Sequence, residues 1–151
     1  MRLMCLILAS TALAVQAGLS PLEAISMIES GNDDWAVGGA GEVSRYQIQP
    51  RVWRQFSPST DYANPRAAAT VAQQYLAWLD KYFQDRTGRA PDDFDRYVLW
   101  NAGPGYYGKV GFSKSRVHRK IRDRAQRYVN LREMRPVNTV SIAQATTAAR
   151  P

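Results

Sequence analysis

Apolar positions recur at helical spacing in four stretches of this chain, separated by segments rich in Gly, Pro and polar residues. Leu22, Ile25 and Ile28, with Met27 beside them, form the first stripe. Ser20-Pro21-Leu22-Glu23 marks its start: Ser20 can cap, Pro21 suits the first helical position, and Glu23 completes a capping box. Gly31 is the stop, so Glu29 falls in the last turn. Asn64-Pro65 opens a long helix through Ala67–Asp85, whose apolar face is Val71, Tyr75, Leu76, Trp78, Leu79, Tyr82 and Phe83. Gly88 ends it, and Pro91-Asp92-Asp93 starts another over Phe94–Ala102, stopped by Gly103-Pro104-Gly105. A Gly- and Tyr-rich connection leads to a basic helix, Arg116–Arg132, with Val117, Ile121, Ala125, Tyr128 and Val129 inward. Between the first two helices, residues 31–50 read as a glycine-rich loop with one or two short strands in the β-prone run Val43 to Ile48. The fold class expected is α+β, mainly α-helical, with a small β-element.

The ends of the chain follow a different pattern. Residues 1–17 combine Arg2, the mostly apolar run Leu3 to Val15, and a small-residue cleavage signal, Val15-Gln16-Ala17. The run is short for a bilayer span, which needs about 20 apolar residues. It predicts an export signal cleaved near Ala17 and a periplasmic or extracellular destination. One domain is expected over 18–135, and the small polar segment 136–151 reads as a flexible tail.

Composition narrows the chemistry. The 151 residues suit a single domain with a real core. One Cys cannot form an intramolecular disulfide, and with one His it cannot supply a zinc site of the usual nitrogen and sulfur type. Cleavage at Ala17 would remove Cys5 altogether, and His118 is the one imidazole that could serve a triad. Carboxylate chemistry, oxygen-ligand metal sites or binding without chemistry remain. The net charge of +7 is uneven: residues 106–135 hold ten Lys/Arg against two acids, whereas 18–105 hold eight against eleven. A basic strip favours an anionic partner or merely solvates an outer helix face.

Glu29 is the candidate reacting group. A helix C-terminus carries partial negative charge, and that charge and an apolar wall both favour the protonated form of a carboxyl. Such a carboxyl can act as general acid in glycosidic cleavage. Met27, Ile28 and Trp35 are the neighbours that would build the wall. Helix-end glutamates are common, so position alone does not separate this role from that of a solvated side chain.

Three segments in order add to it: Glu29-Ser30-Gly31-Asn32, then Gly41-Glu42-Val43-Ser44-Arg45-Tyr46-Gln47-Ile48-Gln49-Pro50, then Trp100-Asn101-Ala102-Gly103-Pro104-Gly105. Together they resemble the lytic transglycosylases of the lysozyme-like superfamily, which also holds the goose-type lysozymes. The resemblance covers roughly residues 20–132. It implies a lysozyme-like domain with the β-element beside a catalytic cleft, acting on peptidoglycan between N-acetylmuramic acid and N-acetylglucosamine. Glu29 would protonate the leaving oxygen, the muramoyl 2-acetamido group would assist at the anomeric carbon, and Glu29 would then take the proton of the 6-hydroxyl closing a 1,6-anhydro ring. One carboxylate suffices, unlike the two of most glycosidases, and no metal, cofactor or thiol is implied.

The resemblance also implies lesser roles. Gln47 would line the cleft, Asn101 would lie near its floor, and Tyr128 would stand close to Glu29 or simply pack the last helix. Ser30 would contact substrate or satisfy its own helix end. The pattern usually has Gly-Leu-Met where Ser44-Arg45-Tyr46 stand, Met at Gln49 and Tyr at Trp100. Tyr46 and Trp100 remain flat platforms for a sugar face, while Arg45 and Gln49 would make the cleft more polar. Glu42 either bonds loop amides or holds a water for plain hydrolysis, and Asp33 and Asp34 read as turn residues or further carboxylates. A hydrolysing muramidase and an inactive peptidoglycan binder are the alternatives. The expected partners are peptidoglycan strands and, through the basic segment 109–135, an anionic envelope surface; the export signal argues against nucleic acid.

Overall fold

In a computed structural model, which describes residues 18–134, six α-helices account for most of the described residues. The expected export segment 1–17, Cys5 and the tail 136–151 lie outside the described residues. Helix α1 (Pro21–Glu29) begins with the predicted capping box: the Ser20 amide donates to Glu23 Oε2 at 2.8 Å, and the Glu23 amide to Ser20 Oγ at 3.4 Å. Helix α2 (Pro50–Trp53) escaped the sequence reading because four residues are too short to show a period. Helix α3 (Pro65–Thr87) starts on Asn64, whose Oδ1 accepts from the amides of Arg66 and Ala67, both at 3.1 Å. It ends at Gly88, φ +73°.

Helix α4 (Asp93–Ala102) is the hub, packed against α3, α5 (Pro104–Lys109) and α6 (Arg119–Glu133). Helix α1 leans on α6 and α3. Gly103 stops α4 as expected, but Pro104 at once opens α5, so the expected irregular connection is partly helical. Gly103 has φ +82° and ψ 157°, a region essentially reserved for glycine. The last helix starts later than the pattern predicts. Lys114–Arg116 form a separate 3-10 turn, Val117 is extended, and His118 caps α6 by accepting from the Lys120 amide at 3.4 Å.

Val43 to Ile48 does not run as a strand. Val43 pairs with Val37 and with Ile48 in two isolated antiparallel bridges, while Ser44 to Gln47 turn back between them. Ser44 and Gln47 hold positive φ of +65° and +49°. Both are in the left-handed region, which glycine adopts at less cost.

Trp53, Leu79, Phe83, Tyr97, Val98, Leu99, Tyr107 and Tyr128 fill the core. A fully buried aliphatic or Phe side chain of this kind contributes about 1.5–3 kcal/mol. Asp95 is buried among them, where Arg89 (2.6 Å) and the Tyr107 hydroxyl (2.6 Å) reach its two oxygens. It also closes the α4 capping box with Asp92. Of the expected inward face of α6, Val117, Ala125 and Tyr128 are buried, and Ile121 and Val129 are half-buried. On α3 the expected face is only partly inward: Trp78 is 45% exposed.

Candidate active site

Glu29 ends α1 with its carboxylate turned into the protein, the side chain 7% exposed. Three donors converge on it from two other helices. The Tyr97 hydroxyl gives to Oε1 at 2.6 Å, Asn101 Nδ2 to the same oxygen at 3.4 Å, and Arg124 Nη2 to Oε2 at 2.8 Å. Tyr97 and Asn101 are four residues apart on α4, so one helix face aims both at the same atom. Burial first, then the charge and hydrogen bond of Glu29, push the Tyr97 phenol well above its ordinary range. It therefore remains a donor throughout ordinary pH. A carboxylate offers about four lone-pair sites, and three donors leave room for one more partner.

That partner has a place to enter. A cleft of about 220 Å³ is lined by Glu29, Gly38, Gly39, Glu42, Gln47, Trp100, Asn101 and Arg124. The glycine-rich loop forms one wall because Gly38 carries no side chain: a Cβ there would lie 2.3 Å from Glu42 Oε2 and 2.4 Å from Gln47 Oε1. Glu42 is fixed against Gly38, accepting from Gln49 Nε2 at 2.9 Å and from the Ala40 amide at 3.1 Å. Gln47 holds the turn through Nε2, which donates to the carbonyls of Ser44 (3.0 Å) and Ala36 (3.3 Å). Trp100 is anchored by its indole N–H on the Tyr46 carbonyl at 3.2 Å.

Of the residues expected at the site, Glu29, Glu42, Gln47, Trp100 and Asn101 share this cleft, and Gln49 lines an adjoining groove. Three do not reach it. The Tyr46 ring is buried, and only its carbonyl serves the site by holding Trp100. Ser30 Oγ donates to the Arg45 carbonyl at 2.8 Å and accepts from the Asp33 amide at 3.1 Å, tying the end of α1 to the loop. Tyr128 is buried behind Tyr97, ring centroids 5.4 Å apart, so it can act on Glu29 only through that ring. Its hydroxyl has no hydrogen-bond partner among the described residues.

Other expectations also change. Arg45 does not make the cleft polar, because its guanidinium is held by both oxygens of Asp34 at 2.5 and 2.8 Å. Asp33 is a turn residue, its Oδ1 accepting from the Trp35 amide at 2.9 Å. The apolar wall expected around Glu29 is absent on two sides, since Met27 is 45% and Trp35 81% exposed. His118 caps a helix and lines neither the cleft nor the groove beside it. Among the described residues, no group of three or more His, Cys, Asp or Glu side chains is placed to share a metal ion.

Tyr97 and Arg124 are the site residues missed from the sequence. Tyr97 carried a signal, its spacing of four from Asn101. Arg124 carried none, being one cation among ten in its stretch. No protein-family model, no curated protein and no solved structure matches the chain.

Proposed function

We propose that this protein is a peptidoglycan-cleaving enzyme of lysozyme-like architecture, a lytic transglycosylase with Glu29 as its acid and base. One observation carries the reading. The three segments singled out in the sequence meet at a single cleft, with an inward carboxylate at one side and Gln47, Asn101 and Trp100 around it. Amide groups suit acetamido and hydroxyl substituents.

In the proposed cycle the Glu29 carboxyl gives its proton to the glycosidic oxygen as the bond to the anomeric carbon breaks. The muramoyl acetamido oxygen bonds to that carbon. Glu29, now a carboxylate, takes the proton of the 6-hydroxyl, whose oxygen displaces the acetamido oxygen and closes the anhydro ring. Tyr97, Asn101 and Arg124 hold the Glu29 carboxyl group in one orientation. Glu42 supports a second reading: a fixed carboxylate in the same cleft can hold a water, and the product would then be a reducing sugar.

Digestion of purified peptidoglycan, with mass spectrometry of the released fragments, tests both. Anhydro-muropeptides are expected; reducing ends would replace the transglycosylase by a muramidase. The Glu29→Gln protein should release nothing while keeping its unfolding midpoint and its binding to the glycan. A fully active Glu29→Gln protein would remove Glu29 from the mechanism, and binding without any cleavage by the native protein would leave a peptidoglycan binder.

A further inference from the structure

The residues before α1 are fastened to the carbonyl end of α6. The Leu19 amide donates to the Leu131 carbonyl at 3.1 Å, and Arg132 Nη1 donates back to the Leu19 carbonyl. One residue earlier, Gly18 lies so close that a Cβ there would overlap the Arg132 carbonyl and stand 2.8 Å from the Leu131 oxygen. What blocks a side chain is backbone, which cannot swing aside as a flexible side chain could. The Gly18 nitrogen, joined to the same Cα, stands beside the same carbonyls.

Those carbonyls belong to the last turn of α6, where the final four have no partner within the helix. They carry the negative end of the helix dipole, which favours a cation. Arg132, the basic residue of that turn, shares its charge with Asp93 at 3.4 Å. Residue 18 is also the first after the small-residue signal Val15-Gln16-Ala17. The pattern that predicts a cut and the packing that forbids a side chain therefore fall on adjoining residues, from independent observations.

We infer that the Ala17–Gly18 bond is the processing site of this chain, and that the α-ammonium it releases caps the end of α6. In that step an endopeptidase adds water across the amide. The Ala17 carbonyl carbon takes the water oxygen and leaves as a carboxylate, while both water protons end on the Gly18 nitrogen. An uncut amide offers one donor and no charge; the ammonium offers three donors and a full charge to a helix end short of both. The same two helices meet again where Arg124 of α6 reaches Glu29 of α1, so the cap fastens the pair that carries the candidate acid. The inference rests on the export reading of residues 1–17 and not on the glycan reading of the cleft.

The first test is the intact mass of the protein exported from its full coding sequence, which should place Gly18 at the amino end. A different first residue overturns the processing site. The second compares thermal unfolding at low salt and pH 6.5, below the usual α-amino value of about 7.7–8.0, for chains that differ only at this end. The form with a free Gly18 amine should melt about 1–4 °C above the Nα-acetylated form, and above the form that keeps Ala17. Hydrogen exchange in residues 130–133 should be slower in the free form. Raised salt should narrow the gap. Gly18→Ala, which keeps the amine but adds the blocked Cβ, should also melt below the native protein. Equal midpoints for the free and acetylated forms overturn the ammonium cap, and a Gly18→Ala protein as stable as the native one overturns the docking of residue 18.

Discussion

Arg124 decides how the Glu29 carboxylate is held. Its Nη2 reaches Oε2 at 2.8 Å from a side chain that is 32% exposed, whereas Tyr97 approaches Oε1 from full burial. A hydrogen bond to a charged partner is worth about 1.5–3 kcal/mol, and here it fixes the direction of the carboxyl group proposed to react. Arg124→Met should therefore lower kcat for muropeptide release by about 10- to 100-fold with KM within about twofold. Arg124→Lys should recover part of the loss. A variant with unchanged kcat would make the pair a structural contact only. The same scale shows what residue identity could reveal: a Glu at a helix end was legible, but not that it turns inward, and its cation partner was one arginine in a run of solvated ones.

At the level of elements, the loop between α1 and α2 shapes the site, and it is built by turns rather than by strand pairing. Ser30 ties the end of α1 to the loop, Asp33 makes a turn, and the Asp34–Arg45 pair clamps its two arms. The Arg45 hydrogen bond holds the Asp34 carboxyl below its ordinary value of about 3.8. The sign follows: a carboxyl with a depressed folded-state pKa contributes stability above its unfolded value, and that contribution is lost as pH falls through the folded one. For a partly exposed pair it is worth under about 1 kcal/mol. Asp34→Asn should thus be less stable than the native protein at pH 7, and the difference should shrink as pH falls below about 3.8. Thermal unfolding midpoints between pH 7 and pH 3 read this, and a difference that grows on acidification would refute it. The helices were easier to read than the loop. Caps at Ser20, Asn64 and Asp92 are local hydrogen-bonding devices, whereas Val43 to Ile48 has strand-forming residues that the chain folds back on themselves.

At the scale of the whole molecule, α6 concentrates exposed positive charge on one of its faces. Arg119, Lys120, Arg122 and Arg127 are exposed on the outer face of α6, with Asp123 facing Arg119 at 3.6 Å. The opposite face carries Tyr128, Ala125 and the inward-reaching Arg124. An anionic envelope surface would meet the outer face without covering Glu29's partners on the inner one. Replacing Arg122 and Arg127 by Glu should therefore weaken sedimentation with isolated cell walls at low salt, and raised salt should weaken that of the native protein. Cleavage of a soluble oligosaccharide should be unaffected. Salt-independent wall binding, equal in both proteins, would show that the strip only solvates the helix.

The sequence by itself determined where α1, α3 and α4 begin and end, because apolar period, caps and glycine stops act within a few residues of one another. It also singled out Glu29 and, through a resemblance, the three segments set beside it. Only the tertiary structure decided how they meet: that Tyr97 and Arg124 hold Glu29, that Tyr46 and Tyr128 turn away into the core, and that Trp78 stays exposed in the groove beside the cleft. Those outcomes depend on which faces of α1, α4 and α6 come together, contacts between residues as far as 96 positions apart. Local pattern carries no record of such pairing. A tyrosine or arginine at helical spacing looks the same in sequence whether it fills a core, faces water or grips a carboxylate.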